Sequence, residues 1–256
     1  MPDRSSLGEY LANSRYILVL IGAGVSSPSG IPTYRGDSAS GRDNADFATP
    51  AAFAQRPAEL FEYYADRRSM AGAALPNSAH FALARLAREK EHFLAITQNI
   101  DGLSQRAGHS KSKLVELHGS LFGVRCTKPA CDYVIADTTS MKDQEYRQLS
   151  KLNCPKCRLG ILRPDVTWFG ERLRQDCLDS IDRWLLSVPR VDLMLVVGTS
   201  CNVFPAAEYI HTARRKGAYV AHFNIARDDE WIEPGDWYVP GDVATTLPRI
   251  VSECCT

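Results

Sequence analysis

The sequence predicts an α/β fold, a parallel sheet flanked by helices with a smaller cysteine-bearing module inserted. Three observations lead there. Residues 17–21, Ile-Leu-Val-Leu-Ile, form the continuous apolar run that a strand covered on both faces requires. Further short strands at 93–97, 114–117, 193–197 and 219–223, apolar but for Thr97, Glu116 and His222, each close on polar or glycine residues, with helical patterns between them. From Cys126 to Cys157 that alternation stops, and two short cysteine pairs take its place.

The first run ends in Gly22-Ala23-Gly24-Val25-Ser26-Ser27-Pro28-Ser29-Gly30. Glycines there allow a tight turn and close approach of a ligand. Ser26, Ser27 and Ser29 can cap a following helix, whose N-terminus favours phosphate. The pattern G-x-G-x-x-S is by itself a weak dinucleotide signal, matched by any strand-to-helix turn. Residues 37–46 read as a polar loop over this site. Thr49-Pro50 starts a helix with proline at its first position, a second helix covers 57–73, and a third covers 77–90. The strand at 93–97 runs into Gln98-Asn99-Ile100-Asp101-Gly102, and that at 114–117 into His118-Gly119-Ser120. Residues 166–171, Val-Thr-Trp-Phe-Gly-Glu, return to the main domain. A helix at 181–186, a strand at 193–197 closing on Gly198-Thr199-Ser200, a helix at 205–216 and a strand ending at Asn224 complete the pattern.

Composition narrows the function classes. The chain has 256 residues, enough for one large domain with a small insert, and its 30 basic and 30 acidic residues balance. That balance calls for neither nucleic acid nor an anionic membrane, and no apolar run reaches the roughly 20 residues of a membrane span. Residues 1–15 have no apolar core of a secretory signal. The eight cysteines are then expected as thiols or metal ligands.

Cys126-x4-Cys131 and Cys154-x2-Cys157 stand 22 residues apart. Two loops each offering two thiolates suit tetrahedral zinc, and a four-sulfur site with no open position is structural. Cys177, Cys201, Cys254 and Cys255 have no such partners and read as ordinary thiols. The polar strand ends, Gly22 and Gly24, Gln98 to Asp101, Gly198 to Ser200, and Asn224, would form one groove if they share a sheet edge. His118 at that edge is a candidate general base titrating near neutrality, although a lone histidine is more often structural.

These motifs together resemble one family. Gly22-Ala-Gly-Val-Ser with Gly30-Ile-Pro-Thr-Tyr-Arg-Gly, Thr97-Gln-Asn-Ile-Asp, Leu117-His-Gly-Ser, the paired cysteines, Trp168-Phe-Gly-Glu and Gly198-Thr-Ser look like the sirtuins, NAD-dependent protein-lysine deacylases. The resemblance implies a Rossmann-like NAD-binding domain from residues 1–36, 76–120 and 164–256. The smaller part is a helical insert and cofactor loop at 37–75 and a zinc-binding module at 121–163. Acyl-lysine of a protein or peptide would lie in the cleft between them. Gly22, Ala23, Gly24 and Ser27 would face the pyrophosphate. Tyr34, Arg35, Asn99, Ile100 and Asp101 would line the nicotinamide side. Gln98, Gly198, Thr199, Ser200 and Asn224 would hold ribose and phosphate, and Val243 the adenine. His118 would be the base, with Asn99 beside it, and Val166, Trp168, Phe169 and Gly170 would meet the substrate. NAD would be consumed as co-substrate, the acyl oxygen attacking its anomeric carbon as nicotinamide leaves. Two departures stand out: Tyr34 replaces the family's usual Phe, and the first cysteine pair is spaced x4 instead of x2.

Tyr64 and Arg67, at i and i+3 on the helix 57–73, are by themselves a core tyrosine beside a surface arginine. Their segment, Phe61-Glu-Tyr-Tyr-Ala-Asp-Arg-Arg, resembles the class III, desuccinylase group, in which such a pair binds the carboxylate of succinyl- or malonyl-lysine. Thr245-Thr-Leu-Pro looks like the same class. Alternatives are a deacetylase or neutral short-chain deacylase, a mono-ADP-ribosyltransferase, and a non-catalytic NAD sensor. A monomer is expected, in cytoplasm or nucleus, with the mitochondrial matrix admitted by the resemblance.

Overall fold

The computed structural model describes residues 4–33 and 47–254. Tyr34, Arg35 and the loop expected at 37–46 lie outside the described residues.

Six strands, β1 (Tyr16–Ile21), β2 (His92–Thr97), β3 (Leu114–Glu116), β7 (Leu193–Val197), β8 (Tyr219–Asn224) and β9 (Trp237–Pro240), form one sheet in the order β3-β2-β1-β7-β8-β9. All its pairings are parallel. With the intervening strands set aside, this is the 3-2-1-4-5-6 order of a doubly wound sheet. Burial explains why the strands read as unbroken apolar runs. Ile17, Val19 and Ile21 join the core on one face with Phe93 and Leu195, while Leu18 and Leu20 join the other with Ile96 and Val196. Alternate side chains of β1 thus enter two different cores.

Helices cover both faces. α1 (Arg4–Asn13), α4 (Ser78–Glu89) and α9 (Val243–Cys254) pack on the first, and α7 (Gln175–Ser187) and α8 (Glu208–Arg215) on the second. Asn77 caps α4, its Oδ1 accepting from Ala79 N at 3.0 Å. α8 starts at Glu208, three residues later than the sequence suggests, because 203–207 make turns closed by Ala207 N to Val203 O and Glu208 N to Pro205 O.

A second sheet of three strands has β4 (Gly119–Cys126) between β5 (Val134–Ile135) and β6 (Leu162–Val166). The expected return of Val166 to the main domain needs correction here. It lies in β6, paired antiparallel with Gly119. A buried, continuous run does not say which sheet receives it. This sheet shares an aromatic core with α2 (Pro50–Gln55) and α3 (Pro57–Ala73), built from Phe53, Phe61, Tyr64, Tyr146 and Trp168. α2 is capped as expected, Thr49 Oγ1 accepting from Ala52 N at 3.1 Å. Arg68, buried on α3, reaches across to the segment before α6 (Asp143–Gln148), donating to Thr138 O at 2.8 Å and lying over the Tyr146 ring at 4.3 Å. Among the described residues no helix is long and apolar enough to cross a membrane.

Candidate active site and zinc centre

Strand order changes direction between β1 and β7, and there the polar strand ends meet. Gly22 N donates to Val197 O at 2.9 Å and Gly24 N to Gly198 O at 2.8 Å, so the two turns interlock. A Cβ at Gly24 would stand 2.8 Å from Gly198 O, and one at Gly198 2.6 Å from Val25 N. These glycines are required by backbone meeting backbone. Gly198 also takes φ +62°.

The turn after β1 is not the start of a capped α-helix. Residues 23–25 and 27–29 form two short 3-10 turns without side-chain caps. Ser26, read from sequence as a cap, is buried instead. Its hydroxyl donates to Asp101 Oδ2 at 2.6 Å and accepts from Asn99 Nδ2 at 3.1 Å. His80, to which sequence reading gave no role, approaches the same hydroxyl at 3.5 Å through Nε2. Its Nδ1 accepts from Asn77 N at 3.2 Å, so the proton sits on Nε2. Burial pushes its pKa down to about 4, which keeps the ring neutral. The one advance signal was local: Asn77 and His80 stand at N-cap and N3.

Asn99 donates its second amide hydrogen to Gly22 O at 3.0 Å, so towards a ligand it presents Oδ1. Asp101 accepts at Oδ1 from Leu103 N at 2.8 Å. Gln98 reaches Thr199 Oγ1 at 3.3 Å, and Asn224 Nδ2 donates to Thr199 O at 3.0 Å. Ala23, Gly24, Gln98, Asn99, Ile100, Thr199, Ser200 and Asn224 are all half-buried at this one edge, and Ser27 is exposed. Val243, by contrast, is buried in the main core.

His118 follows β3 and is mostly enclosed. Its Nδ1 stands 3.1 Å from Gln98 O. A carbonyl only accepts, so Nδ1 carries the proton and Nε2 is the basic nitrogen. Burial lowers its pKa against the opposing pull of that hydrogen bond. The expectation of titration near neutrality moves accordingly to the acid side. Thr167 N donates to His118 O at 2.9 Å, which ties the segment from Val166 to Gly170 beside the histidine. Gly119 makes this crossing possible: at φ +80°, a Cβ would stand 2.0 Å from Asp165 O.

Trp168 is buried and donates Nε1–H to the Tyr64 hydroxyl at 2.8 Å. Its ring lies under Arg163, whose Cζ is 3.4 Å from the centroid. Arg163 in turn pairs with Glu171 through two contacts of 2.5 and 2.9 Å. Phe169 is exposed, with its N–H on Ala48 O at 2.9 Å, and Gly170 turns the chain at φ +83°. Sequence reading missed the Arg163–Glu171 pair. Arg67 lies with its Cζ 4.5 Å from the Tyr63 centroid.

Cys126, Cys131, Cys154 and Cys157 bring their sulfurs within 4.8 Å of one another, with Cys126 and Cys157 at 3.6 Å and Cys131 and Cys154 at 3.7 Å. Four sulfurs at about 2.3 Å from a tetrahedral zinc stand about 3.8 Å apart, so the set fits the ion. Lys128 N and Gly160 N point at Cys126 and Cys157 sulfurs, both at 3.4 Å. The longer x4 spacing costs no ligand. Cys177, Cys201 and Cys254 lie apart from this cluster and donate to carbonyls; Cys255 lies outside the described residues.

The sequence profile of the Sir2 family matches residues 22–205. An NAD-dependent protein deacylase of Candida albicans is 36% identical, over 94% of this chain and 94% of that protein. The mitochondrial NAD-dependent protein deacylase sirtuin-5 of Canis lupus familiaris is 35% identical, over 94% of this chain and 82% of that one. Among solved structures, a complex of a Sir2 homologue with NAD superposes with a TM-score of 0.85 at 35% identity, covering 99% of this chain and 94% of that one.

Proposed function

We propose, for a chain that belongs to the Sir2 family and is an NAD-dependent protein deacylase, that acyl-lysines ending in a carboxylate are among its substrates. Succinyl-, malonyl- and glutaryl-lysine are the members of that class.

NAD would supply an anomeric carbon open to attack by the acyl oxygen as nicotinamide leaves, and with one water consumed as the amine is released the products are nicotinamide, free lysine and O-acyl-ADP-ribose. The chain's own residues arrange this. His118 holds its proton on Nδ1 against Gln98 O and offers Nε2 to a ribose hydroxyl. Asn99 presents an acceptor, and Asp101 is held by Ser26 and Leu103. The four cysteines would hold a structural zinc and take no part in the chemistry.

One observation carries the acyl preference. The hydrogen bond from Trp168 Nε1 to Tyr64 Oη joins α3, which carries Arg67 three residues on, to the segment that also contacts His118 through Thr167. Tyr64 accepts in that bond. Arginine's planar fork matches a carboxylate, and a carboxylate entering an apolar tunnel needs such a partner in place of water. Arg67→Met retains much of the apolar volume and deletes the charge. The expected result is a fall of at least ~10-fold in kcat/KM on a succinyl-lysine peptide, or about 1.4 kcal/mol, with little change or a rise on acetyl-lysine. Equal losses on both peptides would return the protein to a general deacylase.

A further inference from the structure

We infer that Tyr63 is a positioning residue for acyl selectivity, acting through Arg67. The inference rests on the acyl reading above and adds a residue to it. Tyr63 and Arg67 stand at i and i+4 on α3 and so share a face. The guanidinium carbon lies 4.5 Å from the centre of the Tyr63 ring, within reach of a cation–π contact.

The ring is itself fixed. Phe47 stacks on it nearly parallel, at 5.1 Å and 13°, and Tyr64 meets it edge-on at 5.1 Å and 88°. Arg56 covers the far end of this ladder, 4.9 Å above the Phe47 ring. Tyr63 is buried, whereas Arg67 is half-buried. A cation held over an aromatic face has less rotamer freedom to lose when a carboxylate arrives. Tyr63 thereby holds Arg67 next to Tyr64 before the substrate binds. Selectivity then depends on a side chain that need not touch the acyl group.

The test measures kcat and KM on succinyl-lysine and acetyl-lysine peptides with NAD in excess. Tyr63→Leu is expected to raise KM for the succinyl peptide and lower the succinyl-to-acetyl ratio of kcat/KM by about 3- to 30-fold, the range of a cation–π contact. Acetyl turnover should stay within about twofold of the parent protein. Tyr63→Phe retains the ring face and should restore the ratio. Replacing residue 63 by phenylalanines of increasing ring fluorination changes the π-face charge at nearly constant volume. This series should lower the ratio stepwise and guards against a Tyr63→Leu protein that does not fold. A ratio that ignores fluorination, or an equal loss on both peptides, overturns the inference while the Arg67→Met result still supports the acyl reading. If Arg67→Met itself leaves the ratio unchanged, the acyl reading fails and this inference with it.

Discussion

Glu171→Gln removes one charge from the clamp that shapes the substrate segment and changes almost nothing else in volume. Glu171 accepts from Arg163 Nη1 and Nη2 at 2.5 and 2.9 Å, and its Oε2 also accepts from Trp168 N at 2.9 Å. The pair is mostly enclosed, its side chains 8% and 18% exposed. Breaking a buried pair by deleting one partner costs about 3–5 kcal/mol, because the other charge is left without compensation. The glutamine carbonyl still accepts one hydrogen bond, which returns roughly 1 kcal/mol. A net loss of about 2–4 kcal/mol follows, and at roughly 2–4 °C per kcal/mol for a chain of this size the melting temperature falls by about 4–16 °C. Differential scanning fluorimetry reads this directly. The loss should also depend on pH in the parent protein. Burial would raise the Glu171 carboxyl, but the Arg163 pair and the Trp168 N–H outweigh it, and its folded pKa lies below the ordinary 4.5. A depressed folded pKa means that the contribution is fully present above pH 4.5 and is lost as pH falls through the folded value. Parent and variant melting curves should therefore converge on acidification. A shift under about 2 °C at pH 7, or one that grows with acid, would refute the clamp as the element that holds Trp168.

Two other predictions concern chemistry and metal. His118→Ala should lower turnover by roughly 10²–10⁴-fold while NAD binding by calorimetry stays near the parent's. Because burial lowers the His118 pKa, the acid limb of kcat/KM in the parent should lie below the ordinary histidine value of 6.5, and a limb above it would remove His118 from the role. Cys154→Ser should reduce bound zinc and thermal stability together, since metal binding and folding are coupled; metal analysis of the pure parent protein well under one zinc per chain would rule out the structural site.

The sequence by itself determined the parallel sheet and the metal site. β1 and β7 are buried on both faces and so have to be written as unbroken apolar runs, and these with the shorter runs of β2, β3 and β8 were legible. The four cysteines were legible because a knuckle is local: its two ligands have only two or four residues between them whatever surrounds them. Elements whose identity is not written locally were missed. β9 is a four-residue edge strand ending in Pro240, and α9 has Pro248 in its interior. The strand is too short to carry a period, and in the helix Pro248 interrupts the reading although Val243, Leu247, Ile250 and Val251 fall at helical spacing. The site divides in the same way. Glycine turns, Gln98 to Asp101 and His118 could be named as strand ends. Their working geometry could not be, since Ser26, His80 and Asp101 meet across separations of 54 and 75 residues. The meeting of Trp168 with Tyr64 spans 104 residues and depends on β6 joining the small sheet and not the large one. Periodicity tells a residue which face to bury; only the tertiary fold tells it which distant polar group will share that burial, because an enclosed donor or acceptor has to be satisfied by whatever the packing brings within reach.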